Sequence, residues 1–543
     1  MTPSGSSVSW HDRSVPRSPR KLSALVGAVL IAVTGCTVLD EGSPSGGDRA
    51  PAGPVGPVPD GLDDFYSQRL DWGDCQPYAT TNVAEQTFAA PEVECALLEV
   101  PLSYENPDAE TIEVGVLRTR AQDDRIGSLL VNPGGPGVSG MEAAASLRFS
   151  PTINKLGDRF DVVGFDPRGV GASEPSVDCL TDAERDADRA DDSEVDGTPQ
   201  GVKEQEAEER AFARKCAQRT EHGEEMLANL GTRDVVKDMD ILRSVLGDRK
   251  LTYLGYSYGT RIGSTYAEQF PDNVRAMILD GALDPEQELV DSLVAQGKGF
   301  GDAFAEFAKW CAKRQDCGLG DEPAKATERY QDLVRPLIDD PVTIADGREL
   351  SFDDATTATV QALYSQQLWE KLNTGLNELQ RRRGEALMAL ADQYNERGPN
   401  GEYSDTQDAF AAIRCVDDPR VTDRDTILTA QRRYAQVAPF LDSGKPISEA
   451  RDACAFWPVP NTSEPHLPNV EGVPPALVIS TTNDPATPYQ AGVQLAKAMG
   501  GSLLTYEGTQ HTVFAQGNQC VDQPGIDYLI NGTLPKKGLR CSG

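Results

Sequence analysis

Leu251-Thr252-Tyr253-Leu254-Gly255-Tyr256-Ser257-Tyr258-Gly259-Thr260-Arg261 is the stretch that decides the fold. It reads as a short apolar strand over 250–254, then a serine with a glycine two residues to either side, then a helix from Thr260 to about Glu268. The pattern is G-x-S-x-G, the mark of a sharp strand-to-helix turn that presents a serine. Side chains at 255 and 259 would collide across such a turn, so glycine stands at both. The turn lifts the Ser257 hydroxyl above a sheet edge and aims a helix N-terminus at it. Five residues alone match by chance in many long chains. The rest of the chain must therefore supply a base, an acid and an oxyanion site in a consistent order.

On the N-terminal side, Gly127 to Asn132 is a buried strand feeding Asn132-Pro133-Gly134-Gly135-Pro136-Gly137. So many Gly and Pro leave backbone N–H groups unpaired and approachable. Half of an oxyanion hole belongs there, at Gly135; the N–H of Tyr258 is the other half. A phosphate-cradling loop is the rival reading, but the G-K-[ST] ending is missing. Phe160 to Phe165 is a further strand. Asp166 to Ser173 after it reads as a structural turn beneath the site, with Asp166 and Arg168 held by local hydrogen bonds. Cys95 to Tyr104 and Thr111 to Thr119 alternate like antiparallel strands. Cys179 to Cys216 is strongly charged and reads as a surface excursion pinned at its base. Thr232 to Leu246 is an amphipathic helix with a Thr cap.

On the C-terminal side, Val274 to Leu279 is one more core strand, ending at Asp280-Gly281. Strand–helix alternation then stops, and 284–473 is mostly helical in pattern, near 287–313, 323–337, 354–396, 405–415 and 423–438. This is an inserted cap, expected to roof the serine and shape the substrate. Asp417 in the cap is either a grip for a substrate ammonium or a helix-end charge. The core resumes with a strand at Ala476 to Ser480. Asp484 follows, then a helix from Gln490 to Met499, a strand from Ser502 to Tyr506, and His511. The chain has four His. His11 lies at the N-terminus, His222 among acids and His466 in a Pro-rich connector, so His511 is the candidate base. Asp484 is the candidate acid that orients it, with Asp280 as the alternative. The order Ser, Asp, His is that of the α/β-hydrolase fold, a mostly parallel central sheet flanked by helices.

The 543 residues carry a net charge of −34, which repels nucleic acid and anionic membrane and excludes both as partners of the body. Arg13, Arg17, Arg20 and Lys21 precede an apolar run of twelve, Leu22 to Val33, a length suited to a signal segment rather than a membrane span. Val33-Thr34-Gly35-Cys36 resembles a lipoprotein box, with cleavage before Cys36 and lipid on its thiol; an ordinary signal with an incidental cysteine is the alternative. The implied organisation is a signal at 1–35, a Pro/Gly-rich flexible tether at 36–61, a first core part at 62–283, the cap at 284–473 and a second core part at 474–543. Extracytoplasmic location and membrane contact through Cys36 alone follow. Ten further Cys remain, an even number that suits disulfides outside the cytoplasm. Their grouping suggests Cys75–Cys95, Cys179–Cys216, Cys311–Cys317, Cys415–Cys454 and Cys520–Cys541. No C-x-x-C or His/Cys cluster points to zinc, and no motif points to an organic cofactor.

With these residues in hand, the chain resembles the exported actinobacterial α/β-hydrolases of the tripeptidyl-aminopeptidase family, relatives of proline iminopeptidases that include mycobacterial lipoproteins of carboxylesterase or protease type. The resemblance covers roughly 70–543. It rests on N-P-G-G-P-G at 132–137, F-D-P-R-G-V-G-A-S at 165–173, G-Y-S-Y-G-T at 255–260, L-D-G-A-L-D-P at 279–285, Cys415 with Cys454-Ala-Phe-Trp457, N-D-P-A-T-P at 483–488 and Q-H-T-V-F at 510–514. Proline iminopeptidases carry His before Gly-Gly-Pro-Gly, and Pro133 here argues against that branch. The resemblance implies a Ser-His-Asp peptidase that removes short N-terminal peptides, with a cap that recognises the free amine. An esterase on short acyl or lipid esters would use the same triad. A non-catalytic binding protein would be expected to have lost Ser257, Asp484 or His511, and all three are present.

Overall fold

The computed structural model describes residues 54–192 and 196–543. Cys36 and the segment expected as a signal lie outside the described residues. The strands are β1 (Val93–Pro101), β2 (Thr111–Thr119), β3 (Gly127–Asn132), β4 (Phe160–Phe165), β5 (Leu251–Tyr256), β6 (Val274–Asp280), β7 (Val342–Thr343), β8 (Glu349–Leu350), β9 (Leu477–Thr481), β10 (Ser502–Glu507) and β11 (Arg540–Ser542). Nine of them form one sheet in the order β1-β2-β4-β3-β5-β6-β9-β10-β11. β1, β2 and β4 pair antiparallel at one edge, and every pairing from β4 onward is parallel. All six residues of β3, β4 and β5 are buried, as parallel strands covered on both faces require. Each of these three strands ends in a glycine-bearing loop, and those loops meet at the same sheet edge, where open α/β sheets place their ligands.

The insertion between β6 and β9 is helical, apart from the β7–β8 hairpin, which no alternation in the sequence announces. The run expected over 354–396 is three helices, Phe352–Leu363, Trp369–Leu379 and Glu385–Tyr394. They close around a separate core that includes Phe304, Phe307, Tyr330, Trp369 and Phe440, with Phe304 stacked on Phe440 at 4.5 Å. Helix Thr406–Asp417 does not belong to that core. Its Ala409, Ala412, Ile413 and Val416 pack with Tyr258 and the sheet-side helices, and Cys415–Cys454 fastens it there.

Three local readings need correction. The charged stretch 179–216 is not a simple surface excursion. Its Arg189 is 6% exposed and donates to Asp354, Asp392 and Tyr403 of the roof at 2.8 Å each, and Glu206 receives Arg424 and Arg451. These two charges are interior partners for other charges, while most of the others in the stretch face solvent. Arg168 is likewise held at long range: fully buried, it forms two bonds to Asp238 at 2.7 and 2.6 Å and further bonds to the Leu102, Pro101 and Asn229 carbonyls. That fork fixes the turn after β4 against helix Thr232–Val245. The expected tether also ends earlier than residue 61. Val55 donates to the Ser244 hydroxyl at 2.9 Å and accepts from Arg243 at 2.9 Å, so this part of the segment is bound to the core.

Five disulfides join Cys75–Cys95, Cys179–Cys216, Cys311–Cys317, Cys415–Cys454 and Cys520–Cys541. The third lies within the roof, the second closes the base of the 179–216 arm, and the last pins the edge strand β11.

Candidate active site

The turn after β5 carries Ser257 at φ 53°, a left-handed conformation that a non-glycine residue adopts only when its surroundings hold it. What holds it is specific. The Ser257 N–H donates to the Asp280 carbonyl at 2.9 Å, and the Ser257 carbonyl accepts from the Thr260 N–H at 2.8 Å and its hydroxyl at 2.7 Å. A side chain at Gly255 would lie 2.4 Å from the Gly259 carbonyl oxygen, which is the steric reason for the first glycine. Among the described residues the Ser257 hydroxyl has no hydrogen-bond partner, so it is free to meet an incoming carbonyl carbon.

The loop after β3 sits against this turn. A Cβ on Gly134 (φ +101°) would come within 2.6 Å of the Tyr256 carbonyl oxygen and 2.9 Å of Ser257 Cβ, and 3.1 Å from the Tyr258 nitrogen. Gly134 is thus the contact that lets the loop carrying Gly135 pack against the turn carrying Tyr258. Neither of these N–H groups reaches a protein acceptor among the described residues. Two unclaimed backbone donors next to a nucleophile are what an oxyanion requires. Asp166 anchors the far end of the loop, accepting from the Ser139 hydroxyl at 2.6 Å and the Met141 N–H at 2.9 Å.

Asp484 and His511 are brought together: Nδ1 of His511 lies 2.9 and 3.0 Å from the two carboxylate oxygens of Asp484. Oδ1 of Asp484 also accepts the N–H groups of Ala486 and Thr487 at 2.9 Å each, so the carboxylate cannot rotate away. With the proton on Nδ1 facing a carboxylate, Nε2 is the basic nitrogen, and it has no partner among the described residues. The imidazole ring passes beside Gly281, where a Cβ would stand 3.0 Å from Cε1. Ser257 and His511 therefore flank the same end of β6, one against the Asp280 carbonyl and the other against Gly281.

Burial pushes the His511 pKa down, but the Asp484 charge and hydrogen bond, with the Asp280 charge, outweigh it and leave a net rise above the ordinary value. The imidazole must be neutral to accept a proton. The acid limb of kcat/KM is therefore expected above about pH 6.5, the unperturbed imidazole value, in a pH–rate profile.

No motif in the chain marks the residues of the roof that touch His511. The His511 N–H donates to the Tyr364 carbonyl at 2.9 Å, the Tyr364 ring stands edge-on to the imidazole at 5.4 Å, and Ser365 forms a β-bridge with Gln510. Thr487, 3.3 Å from Nδ1 of His511, could have been found from its place in N-D-P-A-T-P.

Asp417 does not take the role of an ammonium grip. Its side chain is 1% exposed. It accepts from the Thr232 N–H at 2.8 Å, bonds the Thr232 hydroxyl, accepts from the Tyr258 hydroxyl at 3.0 Å and pairs with Arg261. It caps helix Thr232–Val245, whose N-cap residue is Gly231 rather than a threonine. Asp417→Asn is expected to cost about 1–3 kcal/mol of stability, read from chemical denaturation, and to leave KM for free-amine substrates unchanged.

A cavity of about 110 Å³ borders Val138 and Ser139 in the segment after β3 and is lined in part by Glu142, Glu396 and Asp405. None of the three forms an ion pair among the described residues, and burial pushes the Asp405 carboxyl up to about 7. No group of three or more His, Cys, Asp or Glu among the described residues is placed to hold a metal ion. No described helix is long and apolar enough to cross a membrane.

A sequence model of the alpha/beta hydrolase fold matches residues 127–518. The chain is 49% identical over 455 residues to serine protease Hip1 of Mycobacterium tuberculosis H37Rv, covering 82% of this chain and 87% of that one. It is 42% identical over 535 residues to carboxylesterase B of the same strain, covering 98% and 99%. A tripeptidyl aminopeptidase of Streptomyces lividans is 28% identical over 490 residues, covering 87% and 86%.

Proposed function

The chain belongs to the alpha/beta hydrolase fold family and is a serine hydrolase, and from that premise we propose that it is a lipid-anchored, extracytoplasmic aminopeptidase that releases short, tripeptide-like segments from peptide N-termini. Ser257 attacks the scissile carbonyl while Nε2 of His511 takes its proton. Negative charge then develops on the carbonyl oxygen, where the Gly135 and Tyr258 N–H groups are aimed. His511 returns the proton to the leaving amine, an acyl-enzyme remains on Ser257, and water activated by the same imidazole releases it. Asp484 keeps the Nδ1 proton in place and stabilises the imidazolium of both steps.

The observation that carries the reading is the roof seated on the base itself, through Tyr364 to His511. A roof fixed this close to the triad suits substrates with a short segment beyond the scissile bond rather than the middle of a long chain. Glu142, Glu396 and Asp405, carboxylates without a basic partner beside the oxyanion loop, support recognition of a cationic N-terminus in place of Asp417. The similarity to Hip1 and to the Streptomyces aminopeptidase supports a peptide or protein substrate. The second reading, a carboxylesterase on short acyl or lipid esters, is favoured by the similarity to carboxylesterase B across nearly the whole chain.

The test assays the purified protein on a free-amine tripeptide amide, its N-acetylated copy and a short p-nitrophenyl ester. Cleavage of the free-amine peptide but not the acetylated one supports the aminopeptidase. Fast ester turnover with both peptides intact moves the assignment to the esterase. The anchor is tested separately, by incorporation of labelled palmitate that Cys36→Ser removes.

A further inference from the structure

We propose that Asp280 is a positioning residue of the hydrolytic reaction: it ties the turn that carries His511 to the turn that carries Ser257, and sets a second negative charge behind the base. Asp280 ends β6 and is fully buried. Its carbonyl accepts the Ser257 N–H at 2.9 Å, while Oδ2 of its side chain accepts the N–H groups of Val513 and Phe514 at 2.7 Å each. One residue thus holds both halves of the site, the nucleophile through its main chain and the base through its side chain. The next residue, Gly281, lies against the imidazole itself.

The His511 turn needs an outside support. Thr512 and Ala515 both have left-handed backbones, at φ 59° and 65°, and a β-branched residue such as threonine is strained there. The N–H groups between them face inward and require an acceptor. Asp280 is that acceptor, and the Tyr256 hydroxyl adds a bond to the Phe514 carbonyl at 3.2 Å. The rest of the turn is fixed by Tyr364 of the roof, by Asp522, which accepts from the Ala515 N–H at 2.9 Å, by the Ser150 hydroxyl on the Ala515 carbonyl at 2.7 Å and by the Gln510 amide on the Thr512 carbonyl at 2.8 Å, none of which reaches the Val513 and Phe514 N–H groups.

Two N–H bonds alone could be met by a neutral side chain. The second oxygen makes the carboxylate meaningful. Oδ1 of Asp280 is buried and has no hydrogen-bond partner among the described residues. The ionisable groups facing Asp280 are His511, Asp484 and Tyr256. Burial pushes the Asp280 carboxyl up to about 6, against the Phe514 and Val513 N–H bonds and His511, which lower it. Its charge in turn favours the imidazolium that forms as Ser257 attacks. Asp484 contacts Nδ1 directly; Asp280 acts on the same ring from the sheet side without touching it.

The test measures the second-order rate of Ser257 phosphonylation by a fluorophosphonate between pH 5 and 9, on the full protein and on Asp280→Ala and Asp280→Asn. This readout needs no knowledge of the physiological substrate, so it stands apart from the peptidase-or-esterase question. Asp280→Ala is expected to slow labelling by about 10²-fold at pH 8, the cost of a base displaced by about 1 Å. Asp280→Asn keeps an oxygen for both N–H groups and is expected to recover most of that rate. Lacking the charge, it lowers the His511 pKa, so the acid limb of its profile moves to lower pH by about half a unit or more. A purely structural role moves no limb. If Asp280→Ala labels within threefold of wild type, or if the Asp280→Asn limb stays in place, the proposal is overturned. Should Asp280→Ala fail to fold by circular dichroism, the isosteric Asp280→Asn limb alone decides.

Discussion

Ser257→Ala is expected to lower kcat by about 10⁴- to 10⁶-fold on every substrate the protein turns over, and to abolish fluorophosphonate labelling. The loss is large because Ser257 is the nucleophile of the proposed mechanism. It is not total, because in that mechanism the Gly135 and Tyr258 N–H groups remain and would still stabilise an oxyanion formed by attack of water. Folding is expected to change little, within about 1 kcal/mol, since the hydroxyl makes no hydrogen bond among the described residues and the backbone at 257 is held by Asp280 and Thr260. A variant with unchanged Tm and the residual rate is the expected pair of results. A variant that keeps wild-type turnover would place the chemistry elsewhere.

Asp484→Asn is expected to cost about 10⁴-fold in kcat with little change in stability. The reason lies in how the carboxylate is held. Ala486 and Thr487 both donate to Oδ1, so an amide at 484 keeps its oxygen on that side and puts its NH₂ in the place of Oδ2, 3.0 Å from Nδ1. Two donors then face each other. His511 relieves the conflict by moving its proton to Nε2, and an imidazole protonated there cannot accept from Ser257. Steady-state kinetics at pH 8 with a parallel melting curve checks this. A loss of tenfold or less would hand the orienting role to another acid. Asp280 is not placed to take it, since its only side-chain bonds among the described residues are to the Val513 and Phe514 N–H groups.

Much of this site could be read from the chain because its signals are local. The glycines at 255 and 259 answer to a single turn. Gly134 and Gly135 answer to a loop that must approach that turn, and His511 stands out because three other histidines sit where no sheet edge can use them. The parts that escaped reading are those set by distant partners. Asp417 looked like a free acid because Thr232, Tyr258 and Arg261, which occupy it, lie far away in sequence. The arm at 179–216 looked solvated because its charges meet their counter-charges in another part of the chain. Periodicity likewise merged three roof helices into one run, since amphipathic spacing continues across turns such as the one at Arg382, φ 57°. Asp280 is legible as an acid at a strand end, but its side-chain bonds to Val513 and Phe514 span more than two hundred residues and leave no local mark.

The sheet order carries one consequence for biosynthesis. β3, β5 and β6, with Ser257 and the oxyanion loop, are complete by residue 280, while β9 and β10, which lead to Asp484 and His511, follow only after the whole roof. A ribosome therefore delivers the serine long before it delivers the base that arms it. Chains that stop anywhere before Asp484 have neither acid nor base for Ser257. By the time Asp484 and His511 are added, every helix of the insertion between β6 and β9 has already been synthesised.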